Sequence, residues 1–231
     1  MSTPAPPRVA ADALWRWPGD PVEPPNTGRG GRSEVLRIAL PGGAAYLKRQ
    51  SGHTARSWRA PLRGEATLAR EARMLRRAAR AGVGTPPVLY FHAAHDAGHA
   101  AVLLTVALDG FAPPDPHTPR AQRHAQLRAA GRALARLHRA WLQHGALYPK
   151  HLLMAPAGAG FDVRLLDFEK ARRRPPVLAA RRDLDSLNRH APGWSRTDRL
   201  RFLLAWCGHA RLNRRGRRLW RQLARRARPG A

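Results

Sequence analysis

Two short stretches of the chain combine residue types that can bind a metal ion and phosphate. The first, HGALYPKHLLM, spans residues 144–154, and the second, LLDFEKA, spans residues 165–171. Asp167 ends an apolar run that is typical of a buried strand, and a carboxylate at a strand end can bind Mg²⁺. The alternative is an aspartate that caps the following turn. The preceding HGALYPKH segment favours the metal-binding interpretation.

The spacing of these residues matches the catalytic loop of protein kinases, H-R-D-L-x-x-x-N, followed by D-F-G. His144 occupies the histidine position, Leu147 the leucine position and His151 the position of the metal-binding asparagine. Asp167 then begins the D-F dipeptide, which continues with glutamate instead of glycine. The pattern predicts a phosphotransferase-like loop followed by a metal-binding aspartate.

One position departs from this pattern. Ala146 stands where the loop normally carries the aspartate that accepts the substrate proton. A positioned base typically contributes about 10²–10⁴-fold to the rate, so its loss slows catalysis without abolishing it. His144, Tyr148 and Lys150 are the residues nearby that could partly substitute, and the sequence does not choose among them.

A glycine-rich segment lies upstream, ahead of a predicted strand, where backbone N–H groups could approach phosphate closely. Its candidate nucleotide-binding residues are Gly28, Gly30, Gly31 and Ser33. The serine replaces the third glycine of G-x-G-x-x-G, and a plain hairpin explains the segment equally well.

A lysine and a glutamate follow in the order that a kinase requires. Lys48 ends the second predicted strand and could contact nucleotide phosphates, or it could simply be solvated. Glu71 flanks the apolar stripe of the next helix and could hold Lys48. Glu65 lies at least as close to that stripe, so periodicity alone leaves both glutamates open.

These residues are distributed over strands with one helix, followed by a mostly helical half. The proline-rich residues 1–27 are expected to be extended or weakly ordered. In the first half, the predictions are strands at about 33–40 and 44–49, a loop at 50–62, a helix at 65–81, and strands at VLYFHAA and AAVLLTVA that flank a turn at 95–98. The second half should contain a helix with the apolar stripe Leu127, Ala130, Leu134, Leu137 and Trp141, and a basic C-terminal helix that ends in a tail.

The composition suits one domain or two small lobes, with a formal net charge of +27 on 231 residues. Three of the 42 basic residues are lysines, namely Lys48, Lys150 and Lys170, and arginine occurs along nearly every segment. That charge fits either a compositional bias or a polyanionic partner. A nucleic-acid-binding function has only net charge in its favour, because no motif for it occurs. With a single cysteine and no leader-like N-terminus, a cytoplasmic protein is the expectation.

The chain also resembles the lipopolysaccharide kinase (Kdo/WaaP) family, in particular its InaA-like branch. The segments that carry the resemblance are YLKRQ, REARML, AGVGTPPVLYF, HGALYPKHLLM, LLDFEKARRR and RRDLDSLNRHAPGWSRTDRLRFLLAWCG. They extend over about residues 26 to 225. The resemblance implies an α+β, bilobal protein-kinase-like fold, with a small β-rich N-lobe at 28–108 that contains one helix and a mostly helical C-lobe at 109–231.

The resemblance also implies roles for individual residues, with ATP and Mg²⁺ as cofactors. Lys48 would hold the α- and β-phosphates, and Glu71, rather than Glu65, would orient it. Asp167 would bind Mg²⁺, and His151 would be the second metal ligand or a supporting residue. The RRDLDSL segment would support the catalytic loop, although the residues alone favour helix-start carboxylates at Asp183 and Asp185.

The implied activity is transfer of the ATP γ-phosphate to a sugar of the lipopolysaccharide inner core or a related envelope glycolipid. Such an acceptor is anionic, and a peripheral contact with the inner membrane surface would suit the positive charge. The alternative is a non-catalytic pseudokinase that binds nucleotide or a partner in envelope regulation.

Overall fold

The computed structural model describes residues 11–57, 60–94 and 100–226. The chain forms two compact units. The first unit comprises Met1–Arg77 and Pro86–Asp109, and the second comprises Ala78–Thr85 and Gly110–Ala231. The predicted turn at 95–98, the first ten residues and the predicted tail at 227–231 lie outside the described residues.

The first unit is built on an antiparallel sheet. Its elements in chain order are α1 (Ala11–Arg16), β1 (Asp20–Pro21), β2 (Arg32–Leu40), β3 (Gly43–Ser51), β4 (Thr54–Ser57), β5 (Ala60–Ala66), α2 (Thr67–Arg80, whose last turn belongs to the second unit), β6 (Val88–Ala93) and β7 (Ala101–Val106). Five strands form a sheet in the order β1-β2-β3-β7-β6, and β4 pairs with β5 in a separate hairpin.

The alternation of side chains along β3 decides what each face of the sheet carries. Leu47 is fully buried and belongs to a core cluster with Leu36 and Leu104 of the neighbouring strands. Lys48, the next residue, points to the opposite face, because successive side chains alternate across a strand. Its backbone neighbours across the sheet are Val35 and Leu103.

Two segments of the first unit differ from the sequence-based predictions. The proline-rich lead-in contains α1, where Leu14 is fully buried and its carbonyl accepts a hydrogen bond from Arg49 Nε at 3.2 Å. Burial of one leucine and capture of its carbonyl by β3 order a segment that composition alone suggests is loose. The stretch 50–62, predicted as a loop, instead contains the end of β3, β4 and the start of β5.

The second unit is mostly helical. Its elements are α3 (Arg120–Arg139), β8 (Leu142–Gln143), β9 (Leu152–Ala157), β10 (Gly160–Leu165), β11 (Arg172–Arg173), α4 (Pro176–Arg189), α5 (Arg196–Cys207) and α6 (Arg214–Arg226). Helix α3 forms the centre, since Leu127, Leu134 and Leu137 are fully buried. Trp141, predicted to end its apolar stripe, lies beyond the helix with a positive φ of 60° and is 53% exposed.

Short pairings hold the ends of the loop that carries the candidate site. β9 and β10 form a hairpin with Leu165 opposite Leu152, and β8 pairs with β11 through Gln143 and Arg172. Residues 144–151 therefore leave one pairing and enter another, which fixes both ends of the segment. Within the described residues, no helix is both long and apolar enough to cross a membrane.

Candidate active site

Lys48 and Glu71 form an ion pair in the first unit. Lys48 Nζ lies 2.6 Å from Glu71 Oε1, with β3 supplying the lysine and α2 the glutamate. The Glu71 side chain is only 4% exposed, whereas that of Lys48 is 26% exposed. A buried carboxylate thus holds a lysine that retains access to solvent, which suits an ammonium group that contacts a phosphate.

The structure also decides between the two glutamates that the sequence leaves open. Glu65 makes a two-pronged pair with Arg73, at 2.6 and 2.8 Å between guanidinium nitrogens and carboxylate oxygens. Both partners lie in the same β5–α2 segment, so this pair is local. Glu71 is the glutamate that contacts Lys48.

The glycine-rich segment forms a tight 3₁₀ turn over Gly28–Gly30. The N–H of Gly28 donates to Asn26 Oδ1 at 3.0 Å, and Asn26 and Ser33 exchange backbone hydrogen bonds, which closes the turn. A Cβ atom added to Gly31 would lie 2.8 Å from the ring of His53, so the glycine permits close packing of the next turn. The nucleotide-binding role of Gly28, Gly30, Gly31 and Ser33 stays a prediction.

In the second unit, Asp183 organises the start of the loop at 144–151. This carboxylate is fully buried on α4. It accepts hydrogen bonds from the backbone N–H groups of His144 (2.7 Å) and Gly145 (2.9 Å), and His138 Nε2 lies 3.1 Å from it. The residue-based preference for a helix-start carboxylate is therefore wrong, since Asp183 lies inside the helix and holds backbone.

Gly145 allows this arrangement because its backbone has a φ of +86°. A side chain there would also collide with the carbonyl group of Lys170. Both constraints favour glycine, which alone adopts positive φ without a steric cost. The glycine of HGAL is therefore explained by packing and backbone geometry.

His144 is completely buried, and burial is the main reason that its pKa lies below the ordinary value of 6.5. Its Nε2 lies 2.7 Å from the carbonyl oxygen of Leu166, to which a neutral ring donates. Among the described residues, Nδ1 has no hydrogen-bond partner. The ring stacks 5.9 Å from that of His151 and lies 5.0 Å from that of the fully buried Phe168. This geometry suits a residue that connects the loop to the strand end.

His151 and Asp167 bring two metal-binding atom types together. His151 Nδ1 lies 2.8 Å from the carbonyl oxygen of Ala146, so donation from Nδ1 directs Nε2 toward Asp167. Nε2 and Asp167 Oδ2 are 3.5 Å apart. Asp167 has a positive φ of 60°, an uncommon conformation that aspartate tolerates better than most residues and that concentrates at functional sites.

The donor set fits a hard divalent cation through Asp167, because Mg²⁺ prefers oxygen ligands and keeps several waters or substrate oxygens. The imidazole of His151 is a softer ligand and fits Mg²⁺ less well. Within the described part of the chain, no group of three or more His, Cys, Asp or Glu side chains is arranged so that it could hold a metal ion. A metal ion here would therefore need waters or substrate oxygens for its remaining ligands.

The remaining loop residues differ in exposure. Ala146 is 2% exposed, and the loop between His144 and His151 contains no carboxylate. Tyr148 is half-buried, with its ring 4.3 Å from that of His190, and Lys150 is exposed. Tyr148 and Lys150 are thus the predicted catalytic residues of the loop whose side chains remain open to solvent.

Comparison with models of known protein families finds one that matches most of the chain. The model of the lipopolysaccharide kinase (Kdo/WaaP) family matches residues 12–206. The chain belongs to this family. Protein InaA of Escherichia coli (strain K12) is 34% identical over 173 residues, which is 69% of this chain and 77% of InaA. The predicted family is therefore confirmed.

Solved structures confirm the α+β kinase-like fold of this lipopolysaccharide kinase family member. A structure of WaaP in complex with acyl carrier protein has a TM-score of 0.71 at 22% identity and covers 94% of this chain and 90% of that chain. An aminoglycoside-3'-phosphotransferase of type VIII has a TM-score of 0.59 at 20% identity, with 93% of this chain and 98% of that chain covered. At these identities the likeness concerns the fold alone.

Proposed function

We propose that this family member transfers the γ-phosphate of ATP to a sugar hydroxyl of the lipopolysaccharide inner core or a related envelope glycolipid. The observation that carries the proposal is the 2.6 Å ion pair between Lys48 and the buried Glu71. In kinases a strand lysine and a helix glutamate form such a pair when the lysine is placed to contact the nucleotide phosphates.

The other residues then take the following roles. The glycine-rich segment, with Gly28, Gly30, Gly31 and Ser33, would let the backbone approach the phosphates closely. The N–H groups of Gly28, Gly31 and Ser33 already donate within the turn, so binding phosphate through them would require these hydrogen bonds to be exchanged. Asp167 would hold Mg²⁺, which neutralises charge that develops on the phosphates, and His151 would support it or supply a further ligand. His144 and Asp183 would hold the loop in place, since both are fully buried.

Proton removal from the acceptor hydroxyl is the step that the replacement of the usual aspartate by Ala146 should slow. Phosphoryl transfer depends mainly on alignment and charge neutralisation, so slow transfer remains feasible without a dedicated base. Complete burial makes His144 a poor candidate for that base. Tyr148 and Lys150 are better placed to meet an acceptor, and Lys150 also supplies positive charge.

An anionic acceptor suits the exposed basic residues of this region. Arg172 and Arg173 of β11 are both exposed and follow the Asp167 segment directly. Guanidinium groups bind phosphates and carboxylates through paired hydrogen bonds, and both groups occur on core lipopolysaccharide. The same charge would favour a peripheral contact with the anionic inner membrane surface from a cytoplasmic location.

A non-catalytic pseudokinase is the second candidate, and the absence of a carboxylate from residues 144–151 favours it. Such a protein would still bind nucleotide through Lys48 and Asp167 but would regulate envelope assembly without turnover. Nucleotide binding and phosphate transfer must therefore be measured separately.

The test combines thermal unfolding with Mg-ATP and phosphate transfer from labelled ATP to purified inner-core glycolipid. Mg-ATP at about 100 times its Kd should stabilise the protein by about 2.7 kcal/mol. Lys48→Ala and Asp167→Asn should lose both this stabilisation and transfer. Their matched controls are Lys170→Ala, at an exposed residue, and Asp162→Asn, at a half-buried one, each of which pairs with a sequence neighbour. Stabilisation without transfer to any envelope sugar would favour the pseudokinase.

Restoring the missing carboxylate provides a sharper test. Ala146→Asp should raise the transfer rate by about 10²-fold or more, because a positioned base contributes about 10²–10⁴-fold. Ala146→Asn has nearly the same shape and no basic group, so it controls for the added bulk at this buried position. Equal rates in both variants would contradict a kinase that lacks only its base.

A further inference from the structure

The second unit contains a cavity that has no part in the candidate active site. It has a volume of about 550 Å³ and lies among residues of α3, α4, α5 and α6. None of its lining residues belongs to the loop at 144–151 or to the Asp167 segment. Its volume is in the range of about 300–1,000 Å³ that is typical of small-molecule sites.

The walls of this cavity are apolar. They include Ala135 of α3, Pro176, Val177 and Ala180 of α4, Trp206 of α5 and Leu219 of α6. Val177 is 79% exposed, an unusual position for a valine in the described part of the chain. An apolar wall that remains accessible favours an apolar ligand, because each buried methylene contributes to binding.

Four arginines also line this cavity, and we call them the arginine rim: Arg139, Arg181, Arg215 and Arg218. The other polar lining residues include His138, His209, Asn213 and Gln222. All four are exposed, and none makes an ion pair with a carboxylate among the described residues. The described lining residues include no aspartate or glutamate. Arginine is frequent throughout the chain, so it is the position of these four beside an apolar wall that indicates the ligand.

We propose that this cavity binds a single-chain anionic amphiphile, with the alkyl chain against the apolar wall and the anionic head group at the arginine rim. Guanidinium groups pair well with carboxylate and phosphate, and the apolar wall excludes a fully polar anion. This site goes beyond the proposed function and does not depend on phosphate transfer.

The cavity wall is also joined to the catalytic loop by hydrogen bonds. Trp206 Nε1 donates to His138 Nδ1 at 3.0 Å, and both residues line the cavity. His138 Nε2 lies 3.1 Å from Asp183, which accepts from the backbone N–H groups of His144 and Gly145. An occupant that packs against Trp206 therefore restrains the chain of contacts that holds the loop.

Cys207 gives a direct readout, because it lines the cavity, is partly exposed and is the single cysteine of the sequence. The experiment measures the rate of Cys207 modification by a small maleimide, at fixed alkaline pH, in the full chain. Saturated carboxylates from octanoate to tetradecanoate are added below their micelle concentrations, and circular dichroism checks that the fold persists. We expect saturating dodecanoate to slow modification at least about tenfold, with Kd improving about fourfold per methylene that enters the cavity.

Two matched pairs of variants test the location. Val177→Asp places a carboxylate on the cavity wall and should weaken dodecanoate binding at least about tenfold. Leu178→Asp changes the adjacent exposed residue, which does not line the cavity, and should leave binding within about twofold. Arg215→Gln should weaken binding about threefold or more, whereas Arg214→Gln, outside the lining, should not.

The loop provides a second readout that needs no activity. Dodecanoate should slow amide hydrogen exchange in a peptide covering residues 142–147, and Val177→Asp should remove this effect. Equal protection of Cys207 by dodecyltrimethylammonium would show non-specific partitioning and overturn the proposal. So would binding to phosphatidylglycerol vesicles without binding of free carboxylates, which would indicate a membrane surface, or the absence of any protection.

Discussion

Two buried carboxylates, one in each unit, perform different tasks in similar surroundings. Glu71 is 3% exposed and holds a side chain, through the ammonium group of Lys48. Asp183 is fully buried and holds backbone, through the N–H groups of His144 and Gly145. The first carboxylate positions a group that could contact a ligand, and the second fixes the path of the loop.

This difference has an energetic consequence. A backbone N–H group cannot rotate away to find water when its acceptor is lost, whereas a long lysine side chain can. Loss of Asp183 should therefore reduce stability most, and loss of the Lys48–Glu71 pair should reduce nucleotide binding more than stability. The predictions below test that contrast in order of expected effect.

Asp183→Asn should lower the free energy of unfolding by about 3 kcal/mol. Asparagine would replace one carboxylate oxygen with an NH₂ group. If this group takes the place of Oδ2, a donor faces His138 Nε2 and the backbone N–H of His144, where an acceptor is needed. Urea unfolding followed by circular dichroism measures the loss. Asp162→Asn, at a half-buried carboxylate paired with Arg164, should change it by less than about 1 kcal/mol. Equal losses in both variants would remove the contrast.

The Lys48–Glu71 pair calls for a double-mutant cycle with Lys48→Met and Glu71→Gln. The two single variants and the double variant should give a coupling energy of about 1–3 kcal/mol in the free protein, because Glu71 is almost completely buried. Each single variant should also lose stabilisation by Mg-ATP. Coupling near zero, with ATP binding retained, would contradict the role given to this pair.

The buried His144 predicts a dependence of stability on pH. Its pKa lies below 6.5 in the folded protein, mainly because of burial, so the unfolded chain takes up a proton first as the pH falls below 6.5. The contribution of neutral His144 to the free energy of unfolding should thus be fully present above pH 6.5. It should decrease as the pH falls below 6.5, until the pKa of the folded state is reached. His144→Gln should reduce the slope by up to about 1.4 kcal/mol per pH unit in this window. An unchanged slope of unfolding free energy against pH would contradict the prediction.

The smallest effect concerns Asp198, a buried carboxylate that, like Asp183, holds backbone, at the start of α5. Ser195 Oγ accepts from the N–H of Asp198, and Asp198 accepts from the N–H of Ser195 at 3.0 Å, which completes a capping box. Desolvation alone would raise the pKa of Asp198, but hydrogen bonds from Ser195 and the charge of Arg123 lower it overall. Ser195→Ala should cost about 1 kcal/mol of unfolding free energy. Ser195→Thr, which keeps the hydroxyl that caps the helix and donates to Asp198, should recover most of it.

Local patterns in the sequence were enough to predict several elements. The predicted strands at about 33–40 and 44–49 correspond to β2 and β3, and the helix predicted at 65–81 corresponds to α2, which begins two residues later. The motif around His144, together with the resemblance, predicted the family and the kinase-like fold. Such signals depend on neighbours in the chain, so they survive without the fold.

Contacts between distant segments were harder to predict. The resemblance implied that RRDLDSL supports the loop, but the residues of this helix alone gave no sign that the partners of Asp183 lie 38 and 39 residues earlier. The order of α1 comes from Arg49, which is 35 residues from Leu14. The choice of Glu71 over Glu65 required the family resemblance, because both lie near the same stripe. Gln50, which accepts hydrogen bonds from Thr67 and Leu68 at the start of α2, carried no signal at all.

The sequence by itself determined the periodic elements, the order of the phosphate- and metal-binding residue types, and the replacement of the usual catalytic aspartate by Ala146. Only the tertiary structure decided that Glu71 is buried against Lys48, that Asp183 is the carboxylate of RRDLDSL that holds the loop, and that apolar residues of four helices line an open cavity together with four arginines. The physical reason is that periodicity and turn chemistry act over a few residues, whereas a buried charge takes its partner from whichever segment folds against it.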